Sequence, residues 1–273
     1  MECLVMGIVN VTPDSFSDGG RFLAADAAIA HGLALQAQGA ALLDVGGEST
    51  RPGAQRVDPA VEQARVLSVV QSLAAAGATV SIDTMNASTA VAAVEAGARI
   101  VNDVSGGLAD PDMLAAVAGT DAEIVVQHWR GHSADMYAGA AYADIVAEVV
   151  AELGRRVEAA VSAGIPPERV IIDPGIGFGK KGAQNWAVLH GMPQVAALGN
   201  RVLVGTSRKR FLVETLEARG GEASVARRDL ATAVTSVLAA QAGAWGVRVH
   251  DVAATVDALD VAAQWKSGAT WTS

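Results

Sequence analysis

Polar side chains stand at or just after the ends of several short apolar runs in this sequence. Most of them carry a carboxylate, an amide or an imidazole group, which can accept or donate hydrogen bonds. In chain order they are Asn10, Asp44, Asp83, Asn102, His128, Asp173, Thr206, Ser207, His250 and Asp251. Any one of them could be a simple turn former. Together they predict one shared pocket, because several would be buried and would need polar partners.

Three of these side chains suggest a definite ligand. Asp83, Asn102 and Asp173 would place hydrogen-bond acceptors and donors in one pocket. A carboxylate accepts two parallel N–H bonds and an amide pairs with a donor and an acceptor, so the set suits a flat heterocycle with a guanidine-like edge. The competing interpretation is that Asp83 and Asp173 cap the helices that follow them.

A basic cluster is the second feature. Residues 207–210 read Ser-Arg-Lys-Arg after the seventh apolar run, and Arg248 and His250 lie two apart on the eighth, so that they share a face. Backbone N–H groups at a helix start near Ser207 would add to this positive corner. We expect it to hold an anionic or phosphorylated ligand. The alternative is a solvated group of cations, which would oppose the dipole of the helix.

Nucleophilic catalysis is not indicated. The sequence has no Gly-x-Ser-x-Gly elbow, and its one cysteine, Cys3, opens the first apolar run. His128 and His132 are four residues apart, but they straddle the end of a run and are not expected to bind zinc. A magnesium ion held mainly by ligand phosphates is compatible with the pattern.

The elements that must position these groups alternate along the chain, since short apolar runs are followed by stretches of helical spacing. The predicted strands are residues 4–11, 41–45, 79–82, 99–102, 123–127, 170–172, 201–204 and 246–249. The predicted helices are residues 26–38, 59–76, 87–96, 111–118, 143–163, 183–198, segments on either side of 219–222, and 252–265. Eight such units predict an α/β fold, a closed (β/α)8 TIM barrel whose strand ends meet at one rim, with an open doubly wound sheet as the alternative.

Length and composition limit the class of protein. The chain has 273 residues, of which 51% are hydrophobic and 18% charged, so a disordered chain is excluded and a single domain over residues 1–273 is expected. A net charge of −9 argues against a nucleic-acid partner. We recognise no signal peptide and no apolar run long enough for a membrane span, and therefore expect a soluble, cytoplasmic protein without a membrane partner.

Two long segments carry a resemblance to a known family. Residues 7–20 read GIVNVTPDSFSDGG and residues 44–53 read DVGGESTRPG, and these segments resemble the first and second signatures of the dihydropteroate synthases. Shorter similar segments follow in family order at residues 81–84, 102–107, 173–180, 207–209 and 248–250. The resemblance spans nearly the whole chain.

The resemblance implies a (β/α)8 barrel that forms a homodimer and acts in folate synthesis. The implied reaction condenses 6-hydroxymethyl-7,8-dihydropterin pyrophosphate with 4-aminobenzoate to give 7,8-dihydropteroate and pyrophosphate. Because the electron-rich pterin can stabilise a cation at the reacting methylene, we expect pyrophosphate to leave before the amine attacks. The protein would then contribute positioning and electrostatic stabilisation.

The resemblance also implies roles for individual residues. The residues that would bind the pterin are Asp83, Asn102, Asp173 and Lys209. The residues that would bind the pyrophosphate are Asn10, Arg248 and His250. The implied cofactor is Mg²⁺, with Asn10 as its protein ligand.

Two mobile loops would close the site over the second substrate. Asp18 lies on the first loop, and the second carries Thr50, Arg51 and Pro52. Together with Phe178 and Lys209 these loops would form the aminobenzoate pocket, for which sulfonamide inhibitors would compete. The predicted catalytic residues are Asp18, Thr50, Arg51 and Lys209.

Two positions depart from the family pattern. Arg210 follows the lysine at a position where many members have serine, and Gln127 precedes His128 where methionine is frequent. Three alternatives stay open: a methyltetrahydrofolate-dependent methyltransferase with the same barrel, a catalytically inert paralogue that binds pterin, and a structural or scaffold protein. The two loop sequences argue against the first two, and the polar strand ends would be unexplained in the third.

Overall fold

Eight parallel strands close into a barrel in which each strand pairs with the next and the last pairs with the first. The computed structural model describes residues 3–12, 21–49, 53–132, 137–218 and 220–268. The strands are β1 Leu4–Asn10, β2 Leu42–Gly46, β3 Val80–Asp83, β4 Ile100–Asp103, β5 Glu123–Gln127, β6 Val170–Asp173, β7 Arg201–Val204 and β8 Gly246–Val249. The predicted (β/α)8 barrel is confirmed, and the open doubly wound sheet is excluded. That one domain extends over residues 1–273 stays a prediction.

Helices cover the outside of the barrel. They are α1 Arg21–Ala37, α2 Pro59–Ala75, α3 Ala87–Glu95, α4 Met113–Ala118, α5 Ile145–Ser162, α6 Ala183–His190, α7 Met192–Ala196, α8 Arg210–Glu217, α9 Val225–Gln241 and α10 Val252–Ser267. A 3₁₀ turn, Pro167–Arg169, precedes β6. Among the helices of the described ranges, none combines the length and the apolar character that crossing a bilayer requires.

Capping side chains and proline residues set the ends of several helices. The side chain of Asp58 accepts a hydrogen bond from the backbone N–H of Ala60 and so caps α2. The helix predicted over 183–198 divides into α6 and α7, and α7 begins just before Pro193, which has no N–H to continue the ladder of α6. The first helix begins at Arg21, five residues earlier than predicted.

The alternation of side chains along the strands decides which residues reach the site. One set of apolar side chains fills the barrel interior: Met6, Leu42, Ile100, Val125, Ile171 and Leu203. Two positions further along each strand, on the same face, stand Ile8, Asp44, Asn102, Gln127, Asp173 and Gly205. The intervening residues, such as Val45, Ile82 and Val126, pack outward against the helices. On β2, β4, β5 and β6 the inward face therefore changes from apolar to polar towards the carboxyl ends of the strands.

Candidate active site

A cavity of about 950 Å³ opens at the carboxyl ends of the strands. Binding residues of (β/α)8 barrels lie at this end. The cavity is lined by each substrate-binding residue of the sequence prediction that the structure describes, namely Asn10, Asp83, Asn102, Asp173, Phe178, Lys209, Arg248 and His250. The predicted loop residues Asp18, Thr50, Arg51 and Pro52 lie outside the described ranges.

The guanidinium of Arg248 joins two carboxylates across the barrel mouth. Its Nε lies 2.5 Å from Oδ2 of Asp44, and its Nη2 lies 2.8 Å from Oδ2 of Asp83. The amide of Asn102 donates to the same Asp44 oxygen at 3.0 Å. Strands β2, β3, β4 and β8 are thereby connected through one buried polar group.

Burial and the neighbouring charges together shift the pKa of Asp83. Burial raises the pKa of Asp83 to about 7, with Arg248 lowering it and Asp44 raising it. The second carboxylate oxygen of Asp44, Oδ1, is buried without a hydrogen-bond partner in the described part of the chain. Asp83, unlike Asp44, lines the cavity, so its carboxylate is the acceptor of this group that a ligand with N–H donors would meet.

Asp173 and Lys209 form the other polar side of the cavity. Asp173 accepts a hydrogen bond of 2.6 Å from the backbone N–H of Gly175, so it closes a turn and does not cap a helix. Burial raises the pKa of Asp173, and the charge of Lys209 lowers it. Nζ of Lys209 donates to the carbonyl of Ile176 and lies 4.8 Å from the centre of the Phe178 ring.

The basic cluster of residues 207–210 does not act as one group. Arg208 binds Asp229 on α9 through two hydrogen bonds of 2.6 and 2.8 Å. Arg210 pairs with Glu214 one turn further along α8, at 2.9 Å, with 80% of its side chain exposed. Ser207 Oγ lies 2.8 Å from Nδ1 of His250, which follows the last residue of β8. The positive corner therefore consists of Arg248 and Lys209, with Ser207 and His250 beside them.

Some functional positions were not assigned from the sequence. Asp44 was recognised as a strand end, but its contact with Arg248 was not, because the two residues are 204 positions apart. Lys180 is buried at the cavity wall with only 1% of its surface exposed. The glycine-rich stretch before Lys180 was the available signal. Gln127 also lines the cavity, and its amide donates to the carbonyl of Val104 at 3.2 Å.

Metal ligands are sparse at this site. The described residues contain no group of three or more His, Cys, Asp or Glu side chains that could hold a metal ion. His128 is engaged otherwise, since its Nε2 lies 2.9 Å from Oε2 of Glu152. Among the described cavity residues, Asn10 offers an amide oxygen, which is the kind of ligand that Mg²⁺ accepts.

Comparisons of the sequence with known proteins point to the same chemistry as the geometry. A family model described as pterin binding enzyme matches residues 6–250. The chain is similar to the dihydropteroate synthase of Mycobacterium leprae (strain TN), with 56% identity over 263 residues that cover 96% of this chain and 93% of that protein.

Solved structures show the same likeness. The dihydropteroate synthase of Xanthomonas albilineans with 4-aminobenzoic acid has a TM-score of 0.88 and 47% identity, covering 98% of this chain and 93% of that one. The Yersinia pestis dihydropteroate synthase in a sulfonamide drug complex has a TM-score of 0.89 and 36% identity, covering 97% of this chain and 95% of that one.

Replacing Asp83 by asparagine should change how stability depends on pH. The pKa of Asp83 is about 7 in the folded protein, whereas an aspartate in an unfolded chain has a pKa of about 3.9. Between these values the folded state binds more protons at Asp83, so the contribution of Asp83 to the stability of the wild type falls as the pH rises from about 4 to about 7. We expect the free energy of unfolding of Asp83→Asn, measured with urea, to fall less steeply over this interval.

Asp58→Asn is the matched control for this prediction, because Asp58 is an exposed carboxylate far from Arg248 at the start of α2. It should keep the slope of the wild type. Equal slopes for Asp83→Asn and the wild type would contradict a raised pKa at Asp83.

Proposed function

This chain belongs to the dihydropteroate synthases, a family of pterin-binding enzymes, and we propose that the mouth of its barrel is where it acts. The chain is a transferase with dihydropteroate synthase function: it condenses 6-hydroxymethyl-7,8-dihydropterin pyrophosphate with 4-aminobenzoate to give 7,8-dihydropteroate and pyrophosphate. A cytoplasmic location stays a prediction from the sequence.

One observation carries the assignment of the site. A single cavity holds buried acids and an amide that suit a flat ring, and cations that suit its anionic tail. Asp83 and Asn102 stand on neighbouring strands, while Asp173 faces them from β6. The acids accept hydrogen bonds from the N–H groups of the pterin, and Asn102 pairs with a donor and an acceptor.

The pyrophosphate lies at the end of the cavity that Arg248, Ser207 and His250 share. Arg248 is held by two acids, so it is fixed in place before the substrate arrives, and this lowers the cost of ordering it. His250 is held by its hydrogen bond to Ser207. These groups stabilise the negative charge that develops on the departing pyrophosphate.

Magnesium fits this end of the cavity as an ion held mainly by phosphate oxygens and water. The amide oxygen of Asn10 would be its protein ligand, since Asn10 lines the cavity at the end of β1. Its chemistry there would be to neutralise part of the charge on the pyrophosphate.

Bond breaking precedes bond making in the reaction that we propose. The C–O bond between the pterin methylene and the pyrophosphate breaks first, and the bonding electrons leave with the pyrophosphate. Asp173 and Asp83 hold the ring and favour the positive charge that develops on it. The lone pair of the neutral arylamine then forms the new C–N bond at the methylene carbon, and the proton that the amine loses passes to water or to the released pyrophosphate.

The second substrate occupies the outer part of the cavity. Phe178 and Lys209 form one wall, where the ammonium and the ring are 4.8 Å apart. The loop residues Asp18, Thr50, Arg51 and Pro52 would close over it. A sulfonamide, which resembles 4-aminobenzoate, would compete for the same space. Arg210 is engaged by Glu214, so backbone N–H groups near the start of α8 would bind the carboxylate of the substrate.

A second copy of the chain is the partner that we propose for an exposed apolar face on α9 and α10. Leu230, Val234 and Leu238 follow one another at intervals of four on α9 and are 66%, 51% and 55% exposed. Val261 and Trp265 extend the face on α10, with exposures of 69% and 88%. In a two-fold homodimer this face of each chain would be buried against the same face of the other chain.

A direct assay tests the proposed function. The purified chain is mixed with the pterin pyrophosphate, 4-aminobenzoate and Mg²⁺, and we expect dihydropteroate and pyrophosphate to form in equal amounts. If the mechanism is dissociative, pyrophosphate should still be released slowly when 4-aminobenzoate is left out. Pterin binding without any product would instead identify an inert paralogue, and methyl transfer from methyltetrahydrofolate would identify the other alternative.

Replacing Asp173 by asparagine should weaken pterin binding. A charge-assisted hydrogen bond becomes a neutral one, which lowers the affinity for 6-hydroxymethyl-7,8-dihydropterin by about tenfold or more. Isothermal titration calorimetry measures the change. The control is Asp121→Asn, which alters an exposed carboxylate before β5 and should leave the affinity unchanged. Equal affinities of Asp173→Asn and the wild type would show that Asp173 does not hold the ring.

The dimer is tested by sedimentation equilibrium. The wild type should have about twice the chain mass of 27.7 kDa, and Val234→Glu should have the mass of one chain, because the charge would be buried in the contact. Val161→Glu places the same charge at a partly exposed position on α5 and should stay dimeric. A monomeric wild type, or a dimeric Val234→Glu, would contradict the proposed homodimer. If the wild type is monomeric, the exposed apolar face would instead be expected to bind a different partner.

A further inference from the structure

Lys180 is the bulkiest of the fully buried side chains in the described structure, with 1% of its surface exposed. Its ammonium lies inside the loop of residues 174–179. Nζ donates to the carbonyl of Gly175 at 2.9 Å and to the carbonyl of Phe178 at 3.0 Å, and it lies 2.9 Å from Nδ1 of His128. Three acceptors match the three N–H groups of a charged ammonium.

His128 and two charged residues behind it fix this ammonium. Because His128 accepts at Nδ1, its proton is on Nε2, which lies 2.9 Å from Oε2 of Glu152. Arg130 holds Glu152 through contacts of 2.5 and 3.2 Å. Burial lowers the pKa of His128 to about 4, so the ring is neutral between the two charged groups. His128 thus stands between Lys180 and the partly buried ion pair of Glu152 and Arg130.

The loop around Lys180 forms part of the cavity wall. Its outer side is held by Lys209, which donates to the carbonyl of Ile176 and lies beside the Phe178 ring. Its shape depends on glycine: Gly175 has a φ of 66°, and a Cβ there would lie 2.2 Å from the carbonyl oxygen of His128. The loop is therefore held by two ammonium groups, Lys180 from inside and Lys209 from the cavity.

An apolar side chain would fill the space of Lys180 without the cost of burying a charge. Burial lowers the pKa of Lys180 to about 7, with Asp173 raising it and Lys209 and Arg130 lowering it. What the lysine adds is a set of directed hydrogen bonds to the carbonyls of Gly175 and Phe178.

We propose that Lys180 is a positioning residue for the second substrate: its ammonium orients the Phe178 ring by holding the backbone on either side of that ring. This inference rests on the proposed function, in which Phe178 forms one wall of the 4-aminobenzoate pocket. Lys180 does not touch the reacting atoms. It acts through the loop, so its effect belongs to aminobenzoate binding more than to pterin binding.

The first test separates the two substrates kinetically. Lys180→Met keeps an unbranched side chain, shorter by one heavy atom, and removes the three hydrogen bonds. We expect the KM for 4-aminobenzoate to rise on the order of tenfold, because a displaced wall misplaces the amine, while the KM for the pterin pyrophosphate changes by less than about threefold. Equal changes in both KM values would show a general disturbance of the barrel and would overturn the inference.

A double-mutant cycle tests whether Lys180 acts through the ring. Phe178→Leu removes the aromatic wall and should itself raise the KM for 4-aminobenzoate. If Lys180 only orients that wall, adding Lys180→Met to Phe178→Leu should raise this KM no further. Fold-changes that multiply in the double variant would overturn the inference.

A measurement on the wild type covers the case in which Lys180→Met does not fold. The chain has four lysines, Lys180, Lys181, Lys209 and Lys266, so the NMR signals of isotope-labelled lysine can be assigned from single Lys→Met variants at the last three.

The charged and titratable groups around Lys180 are His128, Asp173, Glu152, Arg130 and Lys209. As Lys180 loses its proton it keeps two N–H groups for three acceptors. The KM for 4-aminobenzoate should then rise with the titration of Lys180; a rise that follows Lys209 instead would overturn the inference.

Lys266→Met is the matched control, since Lys266 is an exposed lysine on the last turn of α10. It should leave both KM values and the pH profile unchanged. A wild type that makes no dihydropteroate would contradict the proposed function. An active wild type whose Lys180→Met variant keeps the KM for 4-aminobenzoate and the pH profile would contradict only the role of Lys180.

Discussion

The site depends on one guanidinium placed between two carboxylates inside the barrel mouth. Arg248 reaches Asp44 and Asp83 across 204 and 165 residues of sequence, so the last strand is tied to the second and third. Removing one partner of a buried ion pair generally costs about 3–5 kcal/mol, because the other charge is left without compensation. The carboxylate of Asp83 also lines the cavity, so the group that ties the strands together presents a hydrogen-bond acceptor to a ring that carries N–H donors. Structure and ligand preference therefore have a common electrostatic origin.

The alternation of each strand brings these charges together. A barrel strand directs every second side chain inward, so a change from apolar to polar residues along that face builds a packed interior and a polar mouth from the same short segment. Ile171 and Asp173 on β6 show this, as do Leu42 and Asp44 on β2. A shift of one residue in either strand would turn the acid outward towards the helices.

The sequence was sufficient to predict the barrel fold, because the apolar runs and helical stretches are local signals that tertiary packing reinforces. It also placed Asp83, Asn102, Asp173 and Arg248 at one rim, since strand ends meet there whatever the details of packing. The pairing of Arg208 with Asp229 could not be predicted, because it depends on how α9 approaches the loop after β7. Lys180 was missed for a related reason: a lysine after glycines is normally exposed, and only the folded loop provides its acceptors. The roles of individual residues and the magnesium stay predictions.

The apolar layer formed by Met6, Leu42, Ile100, Val125, Ile171 and Leu203 seals the barrel beneath the acids. In the described part of the chain, substrates therefore reach the acids from the carboxyl ends of the strands, and products leave towards the same end. Asp83 and Asn102 are buried, whereas Phe178 is partly exposed. A ring bound to the two buried side chains would be reached past Phe178, so a molecule already resting on that phenyl ring would restrict access to the inner position.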